Sequence, residues 1–428
     1  MKAQTNVNQR PVCRALLLAG CAALGLGAGA HAQSLRDWLN QPTMTGNWNG
    51  GRTRLADAGI TFKGGYVGEF ADVMSGGKRT GNGIASQFYE NAMIDTDKLF
   101  GLPGGTITIG FNQRAGRSAS SDFIGNKLGV QEVYGAGETQ RVTELSYEQK
   151  FPGDFLDAKG GFYPMGNDFA GTGLGCDFQN VGFCAHPQNL PASTNGWADN
   201  PQARWGGRIK LMPTKDLYFE TGLFQANATY TNPGNGLKVS TSGGTGVIIP
   251  VELGYTASLG GLPGHYKVGG YWDTSNATDV TNSRELDQGR YGFYALADQM
   301  IWSFDGTAER GLIALAQVSY SDPTTAVFQG TWLAALIAQG PFATRPNDYI
   351  NIGYVRAVVN QRKLDREEAT GLANLSNGEG VLEAGYGLQA TPWLLIHPNV
   401  QYVMNPGTFS YTHIPNAWVF GFETKVTF

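Results

Sequence analysis

Charge, cysteine, histidine and long apolar runs are all scarce in this chain. Charged residues make up 15% of 428 positions, with 31 Lys+Arg against 35 Asp+Glu. A balance that leans acidic argues against nucleic acid as a partner, because a phosphate backbone needs a basic face. Four cysteines are present, and Cys13 and Cys21 fall within the first 32 residues. That leaves Cys176 and Cys184, with only His186 near them, which is too few ligands for a closed zinc site. No metal and no cofactor is expected. Past residue 32, His186, His265, His397 and His413 are scattered, without acidic or serine partners nearby in sequence, so no catalytic residue is nominated. Gly76-Gly77-Lys78-Arg79-Thr80 lacks the full spacing of a phosphate-binding loop and reads as a hairpin loop. Beyond the N-terminal region no apolar stretch is long enough for a transmembrane helix.

Glycine, by contrast, is abundant: 61 residues, about twice the usual share, without a collagen period. That fits strands and turns that pack closely. The last twelve positions are the most informative. Trp418, Phe420, Phe422, Thr424, Val426 and Phe428 alternate with Val419, Gly421, Glu423, Lys425 and Thr427. A period of two marks a strand with two unlike faces. Such a strand is an aggregation hazard in water, but it suits a barrel wall with lipid on one side and a wet lumen on the other. A slightly negative mean hydropathy is compatible with this, because only alternate residues face lipid.

The N-terminal region agrees. Lys2, Arg10 and Arg14 precede an apolar segment from Ala15 to Gly29 and the cleavage-like Ala30-His31-Ala32. Residues 1–32 therefore read as a signal peptide, and Gln33 as the mature start. Leu18-Ala19-Gly20-Cys21 resembles a lipoprotein box, but that reading leaves too short an apolar region. Removing Lys2, Arg10 and Arg14 leaves 28 basic against 35 acidic residues, a net charge of −7. In an oxidising periplasm the simplest state of Cys176 and Cys184 is a disulfide that clips their loop.

Alternation predicts sixteen strands, near 61–70, 88–95, 106–113, 142–150, 156–164, 205–212, 217–224 and 247–258, then 265–272, 291–302, 312–320, 331–338, 348–357, 380–390, 393–404 and 417–428. The segments 312–320 and 331–338 alternate poorly. Short links such as 151–154, 213–216, 260–264 and 390–392 separate long ones such as 114–141, 166–204, 225–246 and 358–379. This rhythm predicts an all-β, antiparallel transmembrane barrel with short periplasmic turns and long extracellular loops. Sixteen strands enclose an aqueous channel. Residues 33–60 form an N-terminal periplasmic segment, with helical spacing at Leu35, Trp38 and Leu39 and a short helix at 54–58 ended by Gly59. It either packs at the periplasmic mouth or narrows the exit. The barrel proper is expected over 61–428.

Three stretches resemble the carbohydrate-selective porin family, the OprB type. They are GNWNGGRTRLADAGITF from Gly46 to Phe62, LFGLPGGT from Leu99 to Thr106, and Thr391-Pro392-Trp393 leading to HPNVQYVMNPG from His397 to Gly407. His397 and Asn399 depart from the Gln and Asp expected of that family. The resemblance implies a sixteen-stranded barrel in a Gram-negative outer membrane, more often monomeric than trimeric, passing neutral sugars such as glucose. General diffusion, adhesion and lipid or peptide hydrolysis are the alternatives.

A channel for uncharged sugars gains nothing from a single-sign charge ring. Hydroxyl pairs suit guanidinium and carboxylate groups, and a pyranose C–H face suits an aromatic ring. Strand parity places Glu69, Arg114, Glu144, Lys159, Tyr163, Arg208, Glu220, Glu383, Asn399 and Gln401 inward. They either meet the solute or form a network that keeps the barrel open. The loop from Gly166 to Arg204, with Phe178, Phe183 and Trp197, is expected to fold inward as the constriction or to form a surface lid.

Overall fold

The computed structural model describes residues 34–134 and 137–428. The segment expected to be a signal peptide, 1–32, lies outside the described residues.

Sixteen antiparallel strands close into one barrel, each bonded to its sequence neighbours and the first to the last. They are β1 (Ile60–Ser75), β2 (Gly81–Asp95), β3 (Gly105–Gly116) and β4 (Thr139–Lys150). Next come β5 (Leu156–Tyr163), β6 (Arg204–Thr214), β7 (Leu217–Ala226) and β8 (Gly246–Leu259). They continue as β9 (Leu262–Thr278), β10 (Leu286–Ser303), β11 (Gly311–Ser321) and β12 (Phe328–Gln339). The last are β13 (Tyr349–Val359), β14 (Gly378–Thr391), β15 (Leu394–Met404) and β16 (Ala417–Thr427). Each predicted segment overlaps one of these.

The alternation of β16 has the predicted cause. Trp418, Phe420 and Phe422 are exposed on the outer wall, while Val419 and Glu423 are buried inside. The seam with β1 runs from Gly65 opposite Thr427 to Val73 opposite Val419. The periplasmic turns are tight. Between β8 and β9, Gly260 and Gly261 both take positive φ (62° and 83°), which a two-residue hairpin requires.

The weak alternation of β11 and β12 also has a reason. Leu315, Leu333 and Ile337 point inward and are buried in an apolar cluster with Val355, Val381, Val403 and Val419. The lumen face is therefore apolar along this wall, so both faces of β12 look alike in sequence. The lumen is not uniformly wet. Two extracellular loops fill that side of it.

The N-terminal arm forms α1 (Leu35–Asn40) and α2 (Gly51–Asp57). Ser34 caps α1 by accepting from the Asp37 amide at 3.1 Å. The chain leaves α2 through Gly59, whose φ of +92° and close approach to Lys98 and Asp95 exclude a side chain. Trp38 packs on Trp393 at 4.6 Å, the Met44 amide donates to the Thr427 carbonyl at 2.8 Å, and Arg52 donates to the Phe428 backbone oxygen at 3.1 Å. The arm thus packs on the periplasmic end of β15 and β16. Further helices are α3 (Thr96–Phe100), α4 (Asn189–Ala192) and α5 (Gln361–Ala369).

Candidate functional site: a passage between infolded loops and one wall

Loops 117–134 and 164–203 lie inside the barrel, held by carboxylates that project from the strands. Glu379 accepts from the Lys127 and Leu128 amides, and Glu383 from the Gln179 and Asn180 amides, all within 2.6–3.0 Å. Glu69 accepts from Val133 at 3.1 Å, Glu252 from Ala170 at 2.7 Å, and Asp273 from Asn195 at 3.1 Å. A buried carboxylate needs partners for its oxygens, and a loop without secondary structure needs partners for its amides. Each satisfies the other.

Cys176 and Cys184 are bonded to one another in the second loop. Phe178 and Phe183 stack at 4.2 Å inside that covalent ring. The pair is seated against Gly353 of β13, where a Cβ would lie 2.6 Å from Phe183 and 3.1 Å from Phe178. Both rings are about 1% exposed, so neither offers a face to a solute. This corrects their assignment as channel-lining aromatics: apolar surface on β11 to β16 captures them instead. Trp197 is likewise 2% exposed, packed against Tyr271 at 5.5 Å and Tyr294 at 5.8 Å. Its edge borders the passage, but it is not a stacking platform. Asp177 in the same loop is pushed up to about 6 by loss of water, with Lys425 pulling the other way.

Cavities lie between the infolded loops and the wall that faces them. On the extracellular side, a cavity of about 710 Å³ is lined by Ser120, Lys127, Gln131, Gln188 and Arg204. Gln188, Trp197 and Gln202 also line a narrower space of about 120 Å³ with Arg114, Glu132, His186 and Asp199. Here Arg114 donates to Gln87 at 2.6 Å and to the Asn200 carbonyl at 3.3 Å, with Glu132 at 3.8 Å. His186 faces Asp199 at 3.5 Å.

Toward the periplasm, charges of opposite sign alternate along β4 to β9. Lys159 pairs with Glu144 at 2.8 Å. Arg208 meets Glu148 at 2.7 Å, Asp157 at 3.1 Å and Asp168 at 3.4 Å. Lys210 faces Glu220 at 3.6 Å, and Lys267 faces Glu252 at 3.9 Å. Lys210 also sits 3.8 Å over the Tyr218 ring. Tyr218 and Lys267 open onto a cavity of about 590 Å³ with Thr172, Leu174, Leu296 and Met300.

Among the expected channel residues, Arg114 lines the narrow space, and Glu144, Lys159, Arg208 and Glu220 belong to the charge pairs of the same wall. Glu69 does not meet the passage directly, being buried as a loop support. The residues expected to line the channel omit the passage charges with most contact to solvent. Side-chain exposure is 35% for Asp199, 28% for Glu148 and 26% for Glu132, Lys210 and Lys267, but only 5% for Arg208. Glu148 and Lys210 share the parity of Glu144 and Arg208 on their own strands and were within reach of the sequence. Glu132, Asp168 and Asp199 sit on irregular loops, where no period marks them.

A model described as carbohydrate-selective porin, OprB family, matches residues 80–428. The chain belongs to that family. Porin B of Pseudomonas aeruginosa is 32% identical, with 99% of each chain covered. The high-pH structure of Pseudomonas putida OprB superposes with a TM-score of 0.85 at 31% identity, covering 91% of this chain and 99% of that one. Salmonella typhi OmpF, in complex with daunomycin, shares the fold alone, with a TM-score of 0.54 at 12% identity over 86% of this chain and 98% of that one. OprB-family membership, with the closed barrel, makes this a sugar-selective outer-membrane porin, in a family of channels rather than enzymes.

Proposed function

We propose that the channel passes neutral monosaccharides of the glucose type down their gradient, as a monomer surrounded by outer-membrane lipid. The observation that carries this reading is the sequence of opposite charges along the passage, with Glu132, Glu148, Asp199, Lys210 and Lys267 open to solvent. Paired charges of both signs offer donors and acceptors to hydroxyls, while attracting neither cations nor anions strongly. Arg208 and Arg114, already bonded, hold these groups in place as much as they meet the sugar. Tyr218 supports the aromatic half of sugar recognition: its hydroxyl donates to Glu252 at 2.5 Å, and its ring borders the lower cavity.

Reconstituted liposomes test this by swelling in sugars, amino acids and salts. Glucose is expected to enter faster than zwitterions of equal size. Entry ordered by size alone would instead indicate a general diffusion pore. Light scattering of the detergent-solubilised protein, expected to give the mass of one chain, tests the monomer.

A further inference from the structure

The passage is bounded on one side by the barrel wall carrying Arg114, Lys159 and Arg208, and on the other by the two infolded loops. We infer that its width is set from the far wall, by Glu379 and Glu383 of β14 acting as positioning residues for selectivity. Neither touches the passage. Both are 0% exposed.

Three observations lead there. First, each carboxylate takes two consecutive backbone amides, Lys127 and Leu128 for Glu379, Gln179 and Asn180 for Glu383. The other carboxylates that hold these loops take one each: Glu69, Glu252 and Asp273. A two-point hold fixes orientation as well as distance. Second, the two residues lie four positions apart on one strand, hence on the same face and about 13 Å apart along it. One strand therefore holds both loops, one beside the other. Third, the loops are joined to each other. The Glu132 amide donates to the Gln179 carbonyl at 3.0 Å, the Val181 amide to the Gly129 carbonyl at 2.9 Å, and Asn180 Nδ2 to the Leu128 carbonyl at 3.2 Å. Displacement of either hold moves both loops together.

The consequence reaches the passage directly. Glu132, whose own amide bonds the Gln179 carbonyl, carries the carboxylate that faces Arg114 at 3.8 Å. Val181, next to the residues held by Glu383, lines both the narrow space and the outer cavity. Held loops keep Glu132 opposite Arg114. Released loops let that separation vary, so the sieve loses its size limit before the barrel loses its strands. This inference concerns width and does not depend on which sugar is preferred.

The test uses the full-length protein in planar bilayers and liposomes. Glu379→Gln and Glu383→Gln leave an amide group facing one of the two N–H donors. Glu383→Asp keeps the charge but withdraws it by one methylene. The double Gln variant is expected to raise salt conductance about twofold or more and to admit sugars larger than the cutoff measured for the wild type, with reversal potential nearly unchanged. Amide exchange at 127, 128, 179 and 180 is expected to accelerate, while that of the strands does not. Glu383→Asp should widen the pore in the same direction, which loss of charge alone cannot explain. If the double variant does not assemble, each single variant reports on the joined loops by the same readouts. Variants that fold with wild-type conductance, sugar cutoff and loop exchange would overturn the inference. So would a Glu383→Asp channel identical to wild type beside an altered Glu383→Gln.

Discussion

The ammonium of Lys425, on the last strand, donates to the main-chain carbonyl of Cys176 at 2.6 Å. It also pairs with Glu423 at 2.9 Å. The strand that closes the barrel thus holds the covalent ring of the inner loop. Replacing Lys425 with Met keeps the stem and removes the donor. The loss of a charged hydrogen bond is worth roughly 1.5–3 kcal/mol when buried. Lys425→Met should make the disulfide more accessible to dithiothreitol, read as faster thiol labelling. Unaltered reduction kinetics would show that the other supports of the loop suffice.

The disulfide itself closes a short ring, so its contribution through the unfolded chain is modest, about 2–3 kcal/mol. None of the sixteen strands lies within the ring it closes. Changing Cys176 and Cys184 together to Ser should leave the thermal transition of the barrel within a few degrees of wild type. Open-channel current should become noisier. A collapse of the transition would assign the bond a role in folding.

Arg208 offsets three carboxylates, Glu148, Asp157 and Asp168. Arg208→Ala leaves them without that cation beside the passage, so preference for cations should increase, measured as reversal potential in a salt gradient. The lumen is wet, and the direct loss of sugar affinity should be about 1 kcal/mol or less, near fivefold. Glu148→Gln, at a partly exposed position, should lower sugar affinity with the opposite shift in ion preference. Equal effects of both variants on ion preference would contradict this arrangement of charges.

Asp177 is protonated more readily in the folded loop than in an unfolded chain, where the ordinary value is 3.8, because burial raises it to about 6. Folding therefore favours the neutral acid. That stabilisation is complete below about pH 4 and is lost as pH rises through about 6. Asp177→Asn, which stays neutral, should match wild-type channel noise at pH 5 and be quieter than wild type at pH 8. Parallel behaviour of the two proteins across that range would rule the effect out.

The strands were legible because a wall between lipid and lumen imposes a period of two, and Trp418, Phe420 and Phe422 display it without interruption. β12 was harder, since Leu333 and Ile337 face inward toward the apolar cluster that also holds Phe178 and Phe183. The site was legible only where strands carry it. Arg114, Lys159 and Arg208 follow from parity, whereas Glu132 and Asp199 owe their positions to loops folded against a distant wall. The same folding hides Phe178 and Phe183, whose composition alone made them look like a sugar platform. An aromatic residue in a loop reads alike whether it meets solute or wall.

The contact between Arg52 and the Phe428 backbone oxygen joins positions 376 residues apart. Bringing such distant segments together early carries a large entropic cost, and its growth with length is slow only for a flexible chain. Once the intervening hairpins have curled, the two edges already lie side by side. In the closed barrel the arm, which leads into β1, bonds to the end of β16, so it spans the seam where first and last strands meet.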